Sequence, residues 1–198
     1  MDNYAKLIVN NLDRLQKRSL DDLARALPAD IEGDRVVFKA FGQQYLLSPQ
    51  GIFLGETPET GVIGILISLY ALHANPQLQV LEPFKSFKEF PDSMPYAGAF
   101  TSHTENILVP QVARIEAARQ RILEVFDGRD ADAAGSGDFS FFVRPLPKIS
   151  LCYILYHADE DFPPAVTCLY SNNASEFMPI DGLADVGEYS SRKILELV

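Results

Sequence analysis

The sequence predicts an α+β fold with a mainly antiparallel sheet, packed with a central buried helix and flanking helices. Three observations carry that expectation. Apolar residues recur at helical spacing at both ends of the chain. Two clusters of short runs rich in Val, Ile, Phe, Tyr and Leu, at 35–54 and 139–170, are punctuated by Gly and Pro. Between them, residues 61–74 are apolar nearly all round, as a helix buried on every side would be. Strands that come in clusters, rather than alternating with helices, favour antiparallel pairing over a doubly wound sheet.

Taken in order, residues 3–17 place Leu7, Ile8, Asn11, Leu12 and Leu15 on one helical face. Ser19, Leu20, Asp21 and Asp22 resemble a capping box opening a short helix that runs to Leu27 and stops at Pro28. Residues 35–41, 43–47 and 52–54 read as an N-terminal three-stranded meander, broken at Gly42 and at Pro49-Gln50-Gly51. Thr60 is the expected N-cap of the apolar helix, and Val62, Ile63, Leu66, Ile67 and Tyr70 are its expected core residues. Residues 77–103 lack periodicity, yet hold Phe84, Phe87, Phe90, Tyr96 and Phe100, so an ordered covering loop is expected there. Helical spacing resumes from Thr104 to Phe126, with Pro110 at a break or a first turn. The Gly/Ala/Ser/Asp-rich stretch 127–138 reads as a mobile surface loop. Three C-terminal hairpin strands follow at 139–143, 149–157 and 165–170, and a last helix spans 181–198 with Asp181 as N-cap. The length and the lack of repeats fit one domain over residues 1–198.

Charge narrows the function classes. The net charge is −10, and residues 127–198 hold 12 acidic and 5 basic side chains. A nucleic-acid binder needs a basic track to replace counterions along the phosphates, and an anionic membrane needs a basic face. The short basic runs Lys17-Arg18 and Arg119-Gln120-Arg121 supply neither, so neither partner is expected. The N-terminus lacks the pattern of a signal peptide, and the longest apolar run, 62–72, is shorter than the roughly 20 residues that span a bilayer. Two cysteines make no disulfide framework, which fits a reducing, cytoplasmic setting.

Catalytic and metal signals are weak. Gly61 and Gly64 lack the further glycines or the Lys-Ser/Thr pair of a phosphate loop. His73, His103 and His157 are isolated, whereas zinc ligands arrive in close pairs, so no metal is expected. Ser102-His103-Thr104, and Cys152 with His157, are the available hints of a nucleophile beside a base. Asp159, Glu160 and Asp161 form an acidic turn that reads first as a solvated hairpin loop; with His157 it could serve a metal-assisted hydrolase. The turn 157–164 is taken to centre on residue 160, which sets Cys152 opposite Cys168 and Ile154 opposite Val166 as buried free thiols and apolar neighbours on one face.

The segment Phe84-Lys85-Ser86-Phe87-Lys88-Glu89-Phe90-Pro91 carries more information. Ser86 can cap a one-turn helix with Glu89 closing the box, and three phenylalanines stand beside two lysines. Such a loop can stack and pair a flat anion, or be pinned to the core by its rings. This segment, Tyr96 and Phe100, Leu146-Pro147, the turn Asp161-Phe162-Pro163-Pro164 and the closing Ile180-Asp181-Gly182-Leu183 occur in an order that resembles the family known as domain of unknown function 3786, found in bacteria and archaea, largely anaerobes, over residues 20–198. The resemblance implies an intracellular stand-alone domain and brings no activity, cofactor or catalytic residue. Some relatives carry cysteine-rich, iron–sulfur-like segments, for which this sequence offers only Cys152 and Cys168.

The expectation is therefore a non-enzymatic binding module for a small anionic or planar cofactor-like ligand, or for a protein partner. Phe87, Lys88, Glu89, Tyr96 and His157 are its candidate ligand-binding residues. The alternatives are the hydrolase at His157 and Asp159 to Asp161, and a structural subunit of a complex. Cofactor and oligomeric state stay open.

Overall fold

The computed structural model describes residues 3–131 and 137–198. Helix α1 (Asn3–Leu15) and helix α2 (Leu20–Ala26) precede a five-stranded antiparallel meander, β1 (Asp30–Glu32), β2 (Arg35–Ala40), β3 (Gln43–Ser48), β4 (Gly51–Leu54) and β5 (Thr57–Pro58), in that spatial order. Helix α3 (Val62–His73) follows. Strand β6 (Lys85–Ser86), a 3₁₀ turn (Phe87–Glu89), helix α4 (Met94–Phe100), a π turn (Thr101–Glu105), a second 3₁₀ turn (Val109–Gln111) and helix α5 (Val112–Phe126) lead to the second sheet. That sheet is completed by β7 (Arg129–Asp130), β8 (Phe139–Leu146), β9 (Ile149–Tyr156) and β10 (Ala165–Tyr170), ordered β6-β10-β9-β8-β7. Helix α6 (Ile180–Glu196) closes the chain.

Local chemistry explains most boundaries. Ser19 Oγ accepts the Asp22 N–H at 3.1 Å and caps α2, as its capping pattern predicts. The N-cap of α3 is Gly61, one residue beyond the predicted Thr60; the Glu59 carboxylate accepts the Gly61 N–H at 2.8 Å just ahead of the first turn. Likewise α6 starts after Pro179, so Asp181 falls inside the first turn, where its charge still faces the positive helix end. The π and 3₁₀ turns break up the helix predicted from residue 104, and α5 starts only after Pro110.

Helix α3 is the hub. Leu66, Ile67 and Tyr70 are fully buried, while Val62 and Ile63, predicted beside them, are only partly so. Its partner α1 buries Ile8, Asn11, Leu12 and Leu15, and Asn11 donates to Ser68 Oγ at 3.0 Å across the interface. Leu7, expected on that face, is half-exposed because the stripe centres on the Ile8 side.

The two sheets meet at a bulge. Between Val143 and Leu146 the β8–β9 register shifts by one, and the Pro145 carbonyl there accepts the Phe41 N–H at 2.7 Å. Phe41 and Gly42 both have positive φ (48° and 80°), the signature of a type I′ hairpin turn between β2 and β3.

Strand β9 is buried on both faces. Leu151, Tyr153 and Leu155 face the main core, with Val166, Cys168 and Tyr170 beside them. Cys152 and Ile154 face a smaller cluster with Ala131 and Phe142. The β9–β10 register pairs Cys168 with Tyr153 and Leu169 with Cys152. The expected pairing of Cys152 with Cys168, and of Ile154 with Val166, is therefore corrected by one residue. The connection 157–164 has an even number of residues, so its centre falls between residues 160 and 161 and sends the two cysteines to opposite faces. Both are buried free thiols. The expected mobile loop 127–138 lies in part outside the described residues, at 132–136; on its near side β7 pairs with β8.

Candidate functional site

The aromatic segment 84–100 is anchored around Tyr170. Phe87 and Phe100 stack at 4.4 Å and 8°, Phe90 meets the Tyr170 ring edge-on at 5.8 Å, and Phe100 lies 5.8 Å from the same ring. The buried Tyr170 hydroxyl donates to the Leu183 carbonyl at 2.6 Å and so ties β10 to α6. The predicted Ser86–Glu89 cap is present: the Ser86 N–H donates to the Glu89 carboxylate at 2.6 Å, which holds that carboxyl below its usual range.

The sequence-predicted site residues do not converge. Phe87 is buried in the ring cluster, and Lys88 and Glu89 point outward. His157 follows the far end of β9. The 3₁₀ turn holding Phe87 abuts Leu169 and Tyr170, so the two lie at opposite ends of β10, roughly 17 Å apart along the strand. His157 pairs instead with Glu116 of α5 at 3.1 Å. The acidic turn spends its polar groups on itself, since Asp159 Oδ1 accepts the Asp161 and Phe162 N–H groups at 2.8 and 2.7 Å. Cys152, four residues inside β9, belongs to the small apolar cluster rather than to His157. Among the described residues no three His, Cys, Asp or Glu side chains converge for a metal ion.

Of the five, Tyr96 lines a cavity that also takes in the neighbouring turn holding Ser102-His103-Thr104. The π turn 101–105, closed by the Asn106 N–H on the Thr101 carbonyl at 2.9 Å, inserts an extra residue and rotates the chain. Such turns are rare and often mark functional positions. Its Glu105 accepts the Cys168 N–H at 3.0 Å, a strand donor that the two-residue β6 does not reach. Its Thr104 is fully buried, and among the described residues its hydroxyl has no hydrogen-bond partner. Helix α6 comes close here because position 187 is glycine: a Cβ there would sit 2.6 Å from Phe100 and 2.7 Å from the Tyr170 hydroxyl.

The result is a cavity of about 270 Å³ between α4, the π turn and α6. Phe100 and Thr104 line its inner side; Tyr96, Ala99, Asp181, Ala184, Asp185 and Glu188 complete it. Glu188 is already paired, with Arg192 at 2.6 Å and with His103 at 3.1 Å. The Asp181 carboxylate accepts the Gly182 N–H at 2.9 Å. Among the described residues Asp185 finds neither a hydrogen bond nor an ion pair; burial, then Glu188 and Asp181, raise its carboxyl above the usual range, although one side stays open to solvent. A larger hollow of about 480 Å³ lies under α1 and α2, lined chiefly by Leu12, Leu15, Leu20, Leu23 and Leu47. Its one cation, Arg18, is committed to Asp22 at 2.7 Å and to the last carbonyls of α3, and Gln16, Asp34 and Ser48 are its other polar lining residues.

Fold and site together define an α+β protein of two antiparallel meanders with a helix-lined cavity beside the second. Residues 19–193 match the model of the family described as domain of unknown function 3786, and the chain belongs to that family. No curated protein and no solved structure matches the chain. No helix among the described residues is long and apolar enough to cross a membrane.

Proposed function

We propose that this protein is a non-enzymatic binding module whose small-molecule ligand occupies the cavity between α4, the π turn and α6. The buried, unpartnered Thr104 hydroxyl beside the Tyr96 and Phe100 rings carries the reading. Leaving a buried hydroxyl unpaired costs on the order of 1–3 kcal/mol, and a ligand that bonds it recovers that cost. A pocket of apolar walls with a few fixed polar groups is the usual form of such a site. Catalysis is not favoured: His103 is engaged with Glu188, and among the described residues the Thr104 hydroxyl has no hydrogen-bond partner to serve as its base. In this reading the segment before Tyr96 is the scaffold that sets Tyr96 and Phe100, in place of the contact surface expected at Phe87, Lys88 and Glu89.

A fragment screen by NMR, mixing cationic, neutral and anionic molecules of four to eight heavy atoms, tests the reading. The expected hits shift the amide signals of Tyr96, Thr104 and Ala184 together. Hits confined to the hollow under α1 and α2, or none at the cavity, would overturn it.

A further inference from the structure

Resting on that reading of the cavity, we infer that its ligand is a small organic cation: a primary ammonium carried on a short aliphatic chain. The charge around the cavity decides the class. Asp181, Asp185 and Glu188 are its ionisable lining groups other than Tyr96, and all three are acidic. Glu188 is neutralised by Arg192 and hydrogen-bonded to His103, and Asp181 is held by its own helix turn. Among the described residues Asp185 is the lining carboxylate with no hydrogen-bond or ion-pair partner. An anion placed here would face like charge at close range, with the Arg192 guanidinium already taken by Glu188. Lys85 and Lys88, which favour an anion on sequence grounds, do not line the cavity.

The apolar walls suit the rest of such a ligand. Tyr96 and Phe100 present aromatic surface to a cation and its methylenes, and Ala99 and Ala184 leave room for an alkyl chain. Thr104 supplies a hydroxyl that accepts from an N–H or donates to a polar group on the chain. A volume of about 270 Å³ limits the ligand to roughly ten heavy atoms, by comparison with the ~150 Å³ that holds benzene. A divalent metal would need several convergent oxygen ligands, and no three described His, Cys, Asp or Glu side chains are placed to hold one.

The test uses three probes of equal length on the full chain: n-butylammonium, 1-butanol and butyrate, followed by NMR titration of the Tyr96, Thr104 and Ala184 amides. Butylammonium is expected to bind at least tenfold more tightly than butanol, with butyrate weaker than both. Asp185→Asn, at an exposed position that leaves the core intact, is expected to reduce the ammonium preference over butanol to less than threefold; Asp181→Asn is expected to weaken butylammonium by a smaller factor. Equal binding of butanol or butyrate at the same amides would overturn the cation while leaving the binding module standing. Ammonium binding indifferent to Asp185→Asn would also overturn it. No response of these amides to any probe would sink both proposals.

Discussion

Cys152 and Cys168 lie on neighbouring strands with their side chains on opposite faces of the second sheet, Leu169 being opposite Cys152 and Tyr153 opposite Cys168. Neither sulfur can reach the other without unpairing the strands. Burial pushes the Cys152 thiol up to about 11, and burial together with Glu105 raises Cys168 well above its usual range. Both thiols are thus protonated at neutral pH, and a thiol is a poor nucleophile compared with its thiolate. A thiol reagent at pH 8 is expected to label neither cysteine until denaturant unfolds the chain, when both react. Mild oxidation is expected to form no internal disulfide. Rapid labelling of either cysteine in the native protein would contradict the burial seen here.

Helix α3 should be the most sensitive element to truncation. Leu66 is completely buried, on a helix that packs against α1, α6 and β4. Leu66→Ala is expected to cost about 2–5 kcal/mol in chemical denaturation. The partly buried Ile65 on the same helix should cost less when cut to Ala, because its site already meets solvent. A Leu66→Ala loss below that of Ile65→Ala would mean the helix packs differently.

Two glycines should respond oppositely to alanine. Gly187 faces Phe100, Tyr170 and Thr104 with no room for a Cβ. Gly187→Ala is expected to cost roughly 1–3 kcal/mol by pushing α6 off the ring cluster. Gly98, inside α4, has open space around it, and Gly98→Ala is expected to stabilise by about 0.5–1 kcal/mol through helix propensity. Thermal melts of the two variants read both effects.

Asp185 should make stability fall as pH rises. Its carboxyl is raised in the folded state, so the native protein keeps a proton that the unfolded chain has already lost. The resulting penalty is absent below the ordinary aspartate value, grows as pH rises from there to the raised native value, and is complete above it. Asp185→Asn is expected to increase Tm at pH 7, with the gain vanishing below about pH 3.5. Glu188, Asp181, His103 and Arg192 surround the position and stay unchanged in this comparison. A lower Tm for Asp185→Asn at pH 7 would show that Asp185 stabilises the empty protein.

What the sequence determined by itself was whatever depends on near neighbours. The helical stripes of α1, α5 and α6, the two strand clusters, the Ser19 and Ser86 caps and the buried rings of the Phe84 segment all follow from spacing and from hydrogen bonds spanning three or four residues. The tertiary structure decided the rest. Strands β6 and β7 are two residues each, too short to carry a period, and exist because a neighbouring strand offers donors and acceptors. The cysteine register turned on half a residue in the centre of a loop, which period-two alternation converts into a change of face. The cavity depends on a π turn and a glycine that bring Thr104 against α6, joining Tyr96 to Asp185 across 89 positions of chain. Long-range packing of that kind leaves no local periodic trace, because the free energy that selects it comes from contacts between segments distant in sequence.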